Sequence, residues 1–190
     1  MESTKNYLNN QNICPVEKAG GLDNSFRKIL QNPKKILKPY LHDGMTVLDL
    51  GCGPGFFTIE MAKLVFNSGK VIAADLQEGM LDIVRRKILG TKLEPIIRLH
   101  QCKKDRIGIN EKVDFILAFY MIHEVKNQEE LFKELKSILN PGGKLLIVEP
   151  KFHVSKNSFD LMINKIKMVG LEITGKPKIF FSRSIVLGNK

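Results

Sequence analysis

Val47-Leu48-Asp49-Leu50-Gly51-Cys52-Gly53-Pro54-Gly55 is the stretch of this chain that carries the most structural information. The run from Thr46 to Leu50 is apolar or β-branched at almost every position, which is typical of a strand covered on both faces of a sheet. The three glycines that follow let the backbone pass close to a ligand, because a Cβ would collide there. Helical periodicity resumes over 56–64, so a ligand would meet the free amides of a helix N-terminus. The stretch predicts a strand, a ligand-binding turn and a helix.

A second predicted strand, Lys70-Val71-Ile72-Ala73-Ala74-Asp75, ends on an acid. A carboxylate at that position can accept hydrogen bonds from both hydroxyls of a ribose, which a nucleoside ligand needs and a hydrophobic core does not. The dinucleotide fingerprint Gly-x-Gly-x-x-Gly requires a third glycine where this chain has Phe56. NAD is the competing ligand, because it also binds at a glycine-rich turn after a strand, but the glycine spacing of this chain disfavours it.

The glycine-rich segment resembles motif I of the class I S-adenosylmethionine-dependent methyltransferases, an acid followed after one residue by Gly-x-Gly-x-Gly. The resemblance extends over residues 46–150. It implies S-adenosyl-L-methionine as the cofactor, with Asp49 near its methionine part, Asp75 on its ribose, and Leu76 and Met80 beside its adenine. The cofactor-binding residues expected from it are Asp49, Gly51, Cys52, Gly53, Gly55, Asp75, Leu76, Met80, Cys102, Lys103 and Ala118.

Adenine recognition departs from the resembled family. Its members often carry an acid after strand three that accepts from the adenine amino group, whereas this chain has Cys102-Lys103-Lys104-Asp105 there. Asp105 serves if the loop is shifted by two residues. Otherwise backbone amides and apolar contacts hold the adenine.

Strand and helix patterns continue to alternate along the chain. Strands are predicted over 96–102, 113–120 and 144–148, with helices over 79–89 and after Asn127. Beyond Pro150 come a further helix ending at Gly170 and two β-rich stretches, 171–181 and 184–187, too close together for a parallel crossover. These stretches therefore predict an antiparallel hairpin.

The fold class that the resemblance implies is α/β, a Rossmann-like three-layer sandwich. Its seven-stranded, mostly parallel sheet has the order 3-2-1-4-5-7-6, and its last strand is antiparallel. We expect one structural domain, with an N-terminal helical arm or lid over residues 1–45 and the methyltransferase core over residues 46–190. The part of the arm expected to act as a lid includes residues 23–27.

The candidates for chemistry on the acceptor follow strands four and five, because ligands bind beyond the carboxyl ends of strands in open α/β sheets. Tyr120 is either an acid or base or a wall of the cofactor pocket. His123 is either catalytic or part of the cap of the helix beginning near Asn127. Glu149 either binds the acceptor or is an exposed surface acid. The expected catalytic residues are thus Tyr120, His123 and Glu149.

Composition sets the cellular context. The 190-residue chain has no apolar run of membrane-spanning length and no apolar signal-peptide stretch after Met1, which predicts a cytoplasmic protein. Three cysteines without a Cys-x-x-Cys pair argue against a disulfide framework and against a zinc site, so no metal is expected. The formal charge of +10 is spread over separate lysines, which fits solvated surfaces and also leaves an RNA partner open.

Two functions follow from these observations. The first is transfer of a methyl group to a small-molecule acceptor by in-line displacement, for which positioning of the nucleophile supplies much of the rate. Missing motifs favour it, since Ala118-Phe119-Tyr120-Met121 stands where nucleobase amine methyltransferases have Asn/Asp-Pro-Pro-Tyr/Phe. The alternative is a factor that binds S-adenosyl-L-methionine and acts on, or senses, RNA or a protein through its basic surface.

Overall fold

The computed structural model describes residues 30–66 and 68–189. Its strands are β1 Thr46–Leu50, β2 Lys70–Asp75, β3 Ile97–Gln101, β4 Val113–Phe119, β5 Leu139–Pro150, β6 Glu172–Gly175 and β7 Ser182–Gly188. Its α-helices are α1 Pro33–Leu37, α2 Thr58–Leu64, α3 Glu78–Ile88, α4 Gln128–Ile138 and α5 Lys156–Val169. A short 3₁₀-helix, Ile122–Glu124, lies between β4 and α4.

These strands form one sheet with the order β3-β2-β1-β4-β5-β7-β6, which confirms the predicted topology. Strands β1 to β5 pair in parallel, whereas β7 is antiparallel to both β5 and β6. The pairing of Pro150 with Ser182 places the start of β7 beside the end of β5. The loops after β1, β2, β4 and β5 and the loop before β7 therefore meet at one edge, called here the carboxyl edge.

Two layers of helices cover the sheet because side chains along each strand alternate between its faces. Leu48 belongs to the buried cluster that includes Phe132 and Leu135 of α4. Its neighbour Val47 belongs to the cluster on the other face, with Leu37 of α1 and Met61 of α2. The three-layer arrangement confirms the predicted α/β sandwich.

Strand β5 is longer than predicted because the Asn140–Gly143 turn lies inside it as a bulge. Leu139 pairs with Val113, and the next registered pair joins Lys144 to Phe115. Gly142 has a φ of +77°. In the terminal hairpin, the regular part of the first β-rich stretch is only Glu172–Gly175, and residues 176–181 form a loop.

The segment before β1 packs against the core. Leu37 is fully buried, and the Tyr40 ring stacks on Phe115 with 5.7 Å between centroids. Residues 1–29 lie outside the described residues, and so does the lid segment expected at 23–27. The division at residue 45 stays a prediction.

A search for membrane spans among the described helices found none long and apolar enough to cross a bilayer.

Truncation of a core leucine on α4 tests this packing. Leu135 is 0 % exposed, and Leu161 on α5 is 62 % exposed. We expect Leu135→Ala to lower the free energy of unfolding by about 2 to 5 kcal/mol, because it removes buried methyl groups and leaves a cavity. Leu161→Ala should stay within about 0.5 kcal/mol of the wild type. Urea denaturation of both variants measures this difference, and equal losses would contradict the packing described.

Candidate functional site

A cavity of about 500 Å³ opens at the carboxyl edge, between the loops that follow β1, β2, β3 and β4. This volume lies within the usual range of small-molecule and cofactor pockets. The predicted residues that line it are Asp49, Gly51, Cys52, Gly53, Asp75, Leu76, Met80, Cys102, Lys103 and Tyr120. Gly55, Ala118, His123 and Glu149 are not among its lining residues. The structure thus brings most of the predicted cofactor residues together.

The turn after β1 is built by glycine at positions that other residues adopt poorly. Gly51 has a φ of +70° and Gly53 a φ of +52°, both in the left-handed region. A Cβ on Gly51 would lie 2.9 Å from the Cβ of Met121. The amides of Gly51 and Cys52 both donate to the Ala74 carbonyl, at 2.8 and 3.0 Å, and so tie the turn to the end of β2.

Asp75, the last residue of β2, holds the turn through its side chain. Its Oδ2 accepts a hydrogen bond from the Gly53 amide at 2.9 Å, and its Oδ1 accepts one from the Gln77 amide at 2.9 Å. Burial raises the pKa of Asp75, and the backbone hydrogen bonds partly oppose that shift. Each carboxylate oxygen has two lone pairs, so these bonds leave acceptor capacity toward the cavity.

Asp49 is buried at the end of β1. Its Oδ2 accepts a hydrogen bond from the Thr58 hydroxyl at 2.6 Å. Thr58 is the first residue of α2 and is fully buried. The contact fixes the carboxylate of Asp49 against the helix that follows the glycine turn.

The two thiols of the cavity are held in their neutral form. Burial raises the pKa of Cys52 well above its usual value, and the charges of Asp49 and Asp75 add to the effect. Burial also raises the pKa of Cys102 to about 12, with a further contribution from Asp75. Since the thiolate is the nucleophile and metal ligand, these side chains serve as small walls. In the part of the chain described, no group of three or more His, Cys, Asp or Glu residues is arranged to hold a metal ion.

The loop after β3 is anchored by an acid from a distant helix. Glu134 of α4 accepts hydrogen bonds from the amides of Ile107 and Gly108, at 2.8 and 2.7 Å. Asp105, the candidate for adenine recognition, lies in this loop and lines the cavity. Its role stays a prediction.

Tyr120, directly after β4, has a φ of +61°, which is unusual for a bulky residue. Its amide donates to the Val148 carbonyl at 2.8 Å. Its hydroxyl lies 2.6 Å from Ser182 Oγ and accepts from Gln31 Nε2 at 2.5 Å. Tyr120 therefore joins the wall of the cavity to β7 and to the segment before α1.

Glu149 is 0 % exposed, so the interpretation of it as an exposed surface acid is wrong. Its Oε1 accepts from the Ile122 amide at 2.9 Å, and its Oε2 lies 2.5 Å from His123 Nδ1. The strand end at which it stands is covered by the 3₁₀-helix, which explains the burial. Glu149 thus fixes the position of that helix.

His123 does not cap α4, because the Asn127 side chain accepts from the Glu130 amide and takes that role. The His123 ring stacks on His153 with 5.8 Å between centroids. Burial lowers the pKa of His123, but the hydrogen bond and charge of Glu149, together with Glu124, raise it by more. The net upward shift favours a protonated imidazole paired with Glu149.

Glu124 is a cavity carboxylate with a strongly raised pKa. Burial raises its pKa to about 7, against the lowering effect of His123 and with further raising by Asp75 and Glu149. It lines the cavity from the end of the 3₁₀-helix. A carboxylate with such a pKa can take up a proton near neutral pH.

Sequence reasoning missed Gln31, Thr58, Glu124 and Glu134. Gln31 contacts a residue 89 positions away, and Glu134 contacts residues 27 and 26 positions away. No local sequence pattern predicts contacts over such distances. The Thr58 contact spans nine residues, and a serine or threonine at the start of the helix after motif I was the available signal. Glu124 stood next to a selected histidine, but its burial depends on the folded loop.

The chain matches a family model over residues 41–179, and the model describes a methyltransferase domain. A demethylmenaquinone methyltransferase from Lactobacillus johnsonii is 31 % identical over 161 residues, which cover 80 % of this chain and 64 % of that protein. A ubiquinone/menaquinone biosynthesis C-methyltransferase from Shewanella oneidensis is 28 % identical over 127 residues, covering 65 % of this chain and 51 % of that one. The chain spans about half to two thirds of the length of these curated relatives.

Among solved structures, a SAM-dependent methyltransferase from Aquifex aeolicus superposes with a TM-score of 0.81 at 26 % identity. The match covers 92 % of this chain and 98 % of that one. The family model spans well over half of the chain, and the sheet order is the one that the family resemblance implied. The chain therefore belongs to the class I S-adenosylmethionine-dependent methyltransferases.

Proposed function

We propose that this protein transfers the methyl group of S-adenosyl-L-methionine to a small aromatic acceptor of the phenol or quinol class. The observation that carries the proposal is the cavity itself, which has a glycine turn and buried carboxylates at one end and an aromatic wall at the other. The two curated relatives are named for methylation in menaquinone or ubiquinone synthesis. Their names support an aromatic acceptor here.

The cofactor end of the cavity fits a nucleoside with a methionine tail. Gly51 lets the turn pack against Met121, which a Cβ would strike, and so shapes this end of the cavity. The carboxylate of Asp75 is already oriented by two amides and would accept the ribose hydroxyls. Asp49, Leu76 and Met80 would complete the contacts to the methionine and adenine parts.

The acceptor end is aromatic. Phe57 lies 4.3 Å from Phe119, and Phe119 lies 4.5 Å from Tyr120, measured between ring centroids. All three side chains line the cavity. A planar acceptor would gain from stacking or edge contacts with these rings.

When bound, S-adenosyl-L-methionine supplies an electrophilic methyl group on a positively charged sulfur. The chain's part is to hold the acceptor in line and to take up the proton that the acceptor loses. We assign that proton to a carboxylate oxygen of Glu124. The Glu149–His123 pair would act through position, because it holds the 3₁₀-helix that carries Glu124. Tyr120, fixed by Ser182 and Gln31, would orient the acceptor.

The alternative, a factor acting on RNA or a protein through the basic surface, lacks support of this kind. Both curated relatives carry small-molecule reactions in their names. Turnover of a phenol and quinol panel with S-adenosyl-L-methionine tests the proposed activity. An intact, cofactor-binding protein that methylates only RNA or protein would overturn it.

Asp75→Ala tests the ribose contact. We expect S-adenosyl-L-methionine affinity to fall by about 1.5 to 3 kcal/mol for each charge-assisted hydrogen bond lost. Asp82→Ala on α3, at a half-buried acid that does not line the cavity, is the control and should bind as the wild type does. Isothermal calorimetry measures the affinities, and circular dichroism checks that both variants fold. Wild-type affinity in Asp75→Ala would remove this residue from the site.

Ligand-induced stabilisation tests the identity of the cofactor. S-adenosyl-L-methionine at 100 times its dissociation constant should add about 2.7 kcal/mol to the free energy of unfolding. NAD at the same concentration should add almost nothing, because Phe56 stands where a pyrophosphate site requires glycine. Thermal melting gives the ranking, and a larger shift with NAD would contradict the assignment.

The pKa of about 7 at Glu124 predicts how the rate depends on pH. A base must be ionised, so turnover should rise with pH and level off above about 7. Glu124→Gln should lower turnover by about 10²-fold or more and flatten this profile. Glu129→Gln, at a half-buried acid on α4 that does not line the cavity, should keep both rate and profile.

The raised pKa of Glu124 also predicts how the stability of the fold changes with pH. Because the folded-state pKa of Glu124 lies above its unfolded value, its contribution is fully present at low pH and is lost as pH rises through about 7. Relative to Glu124→Gln, the wild type should therefore melt at a lower temperature at pH 8 than at pH 5. If the difference in melting temperature between the wild type and Glu124→Gln is the same at pH 5 and pH 8, the raised pKa of Glu124 is contradicted.

A further inference from the structure

Two loops at the carboxyl edge carry an exposed group of phenylalanines. The loops are residues 151–155, after β5, and residues 176–181, before β7. Phe152, Phe180 and Phe181 are 69 %, 50 % and 60 % exposed. Among the described residues, the other phenylalanine that is strongly exposed is Phe66, which precedes β2 at the opposite edge of the sheet. The two loops together are called the aromatic rim.

The rim is one connected surface. The Lys151 amide donates to the Phe181 carbonyl at 3.0 Å and joins the two loops. The Phe180 and Phe181 rings lie 4.9 Å apart. Phe152 meets Tyr120 edge to face at 6.3 Å, so the rim borders the acceptor end of the cavity.

The loop before β7 holds its phenylalanines outward by specific bonds. Phe181 has a φ of +52°, a conformation disfavoured for a bulky residue. The Ser182 hydroxyl donates to the Phe180 carbonyl at 2.9 Å, and the Ser184 hydroxyl donates to the Pro177 carbonyl. These contacts maintain a strained backbone, and the Phe180 and Phe181 side chains that it carries stay 50 % and 60 % exposed.

The charge of the rim has one sign. Its eleven residues, KFHVS and KPKIFF, contain Lys151, Lys176 and Lys178 and no aspartate or glutamate. All three lysines are exposed. Exposed aromatic rings among lysines are typical of surfaces that lie in a bilayer interface, where the rings enter the headgroup region and the lysines meet anionic lipids.

We infer that the aromatic rim docks on the surface of an anionic lipid bilayer, with the carboxyl edge of the sheet facing the lipid. The inference rests on the proposed function in one respect, since a phenol or quinol with an apolar tail would be concentrated in that bilayer. The rim lies beside the acceptor end of the cavity, so docking shortens the path of such an acceptor from lipid to site.

Sedimentation with vesicles tests the inference, with no acceptor or cofactor present. We expect the full chain to bind vesicles of phosphatidylglycerol and phosphatidylcholine, and to bind pure phosphatidylcholine at least about tenfold more weakly. Binding should fall as sodium chloride rises from about 0.1 M to about 1 M, because the charges are then screened.

Matched variants locate the docking surface. Phe180→Ser with Phe181→Asn removes both rings, and asparagine tolerates the positive φ of residue 181. This pair and, separately, Lys151→Glu with Lys178→Glu should each weaken vesicle binding by about tenfold or more. Leu89→Ser with Lys92→Glu, at exposed positions near the opposite edge, should bind as the wild type does.

Different results would contradict membrane docking and the proposed methyl transfer. Three results would overturn docking and leave the methyltransferase proposal standing. They are vesicle binding that does not depend on lipid charge, an equal loss of vesicle binding in the control variant, and no vesicle binding by a protein that still binds S-adenosyl-L-methionine. In a competition experiment, single-stranded RNA and phosphatidylglycerol are each added to vesicle-bound protein. If the RNA displaces the protein at a far lower concentration than phosphatidylglycerol does, docking on lipid is overturned in favour of RNA binding. Docking with no turnover of any phenol or quinol would instead contradict the proposed acceptor.

Discussion

The junction between β1 and β2 determines where everything else in the site lies. Leu50 and Ala74 are in register as the two parallel strands end, so the glycine turn forms directly over Asp75. The Ala74 carbonyl takes the amides of Gly51 and Cys52, and the Asp75 carboxylate takes that of Gly53. Because backbone groups satisfy one another there, the buried carboxylate is fixed before any ligand arrives. The remaining walls are loops placed around this junction.

Two glutamates lie at the 3₁₀-helix: Glu124 lines the cavity, and Glu149 is buried beneath the helix. Glu149 is buried, and its two carboxylate oxygens bond the Ile122 amide and His123 Nδ1. Glu124 lies two residues after Ile122 on the 3₁₀-helix, and its burial, with smaller contributions from the charges of Asp75 and Glu149, raises its pKa to about 7. A protonated His123 opposes part of this shift. Removing the charge of Glu149 would therefore alter both the position and the ionisation of Glu124.

Patterns that are local or periodic were predictable from the sequence. The glycine turn, the Asn127 cap and the β-strand runs each depend on a few neighbouring residues, and they gave the sheet order through the resemblance they carry. The burial of Glu149 was not predictable, since it results from the 3₁₀-helix folding over a strand end. The bulge in β5 and the contact of Gln31 with Tyr120 likewise arise only when distant segments meet. Sequence reasoning therefore identified the residues that line the cavity around the glycine turn better than the contacts made beyond β4 and β5.

Within the described residues, the non-glycine positions with positive φ are Tyr120 and Phe181, and both lie at the carboxyl edge. Such strain persists only where surrounding contacts determine it, and it concentrates at functional sites. Here Ser182 connects the two, because its hydroxyl lies 2.6 Å from that of Tyr120 and also bonds the carbonyl of Phe180. A movement of the rim loop would be transmitted through Ser182 to the aromatic wall of the cavity. In the proposed mode of docking, Ser182 would be the side chain that links the rim to the wall of the cavity.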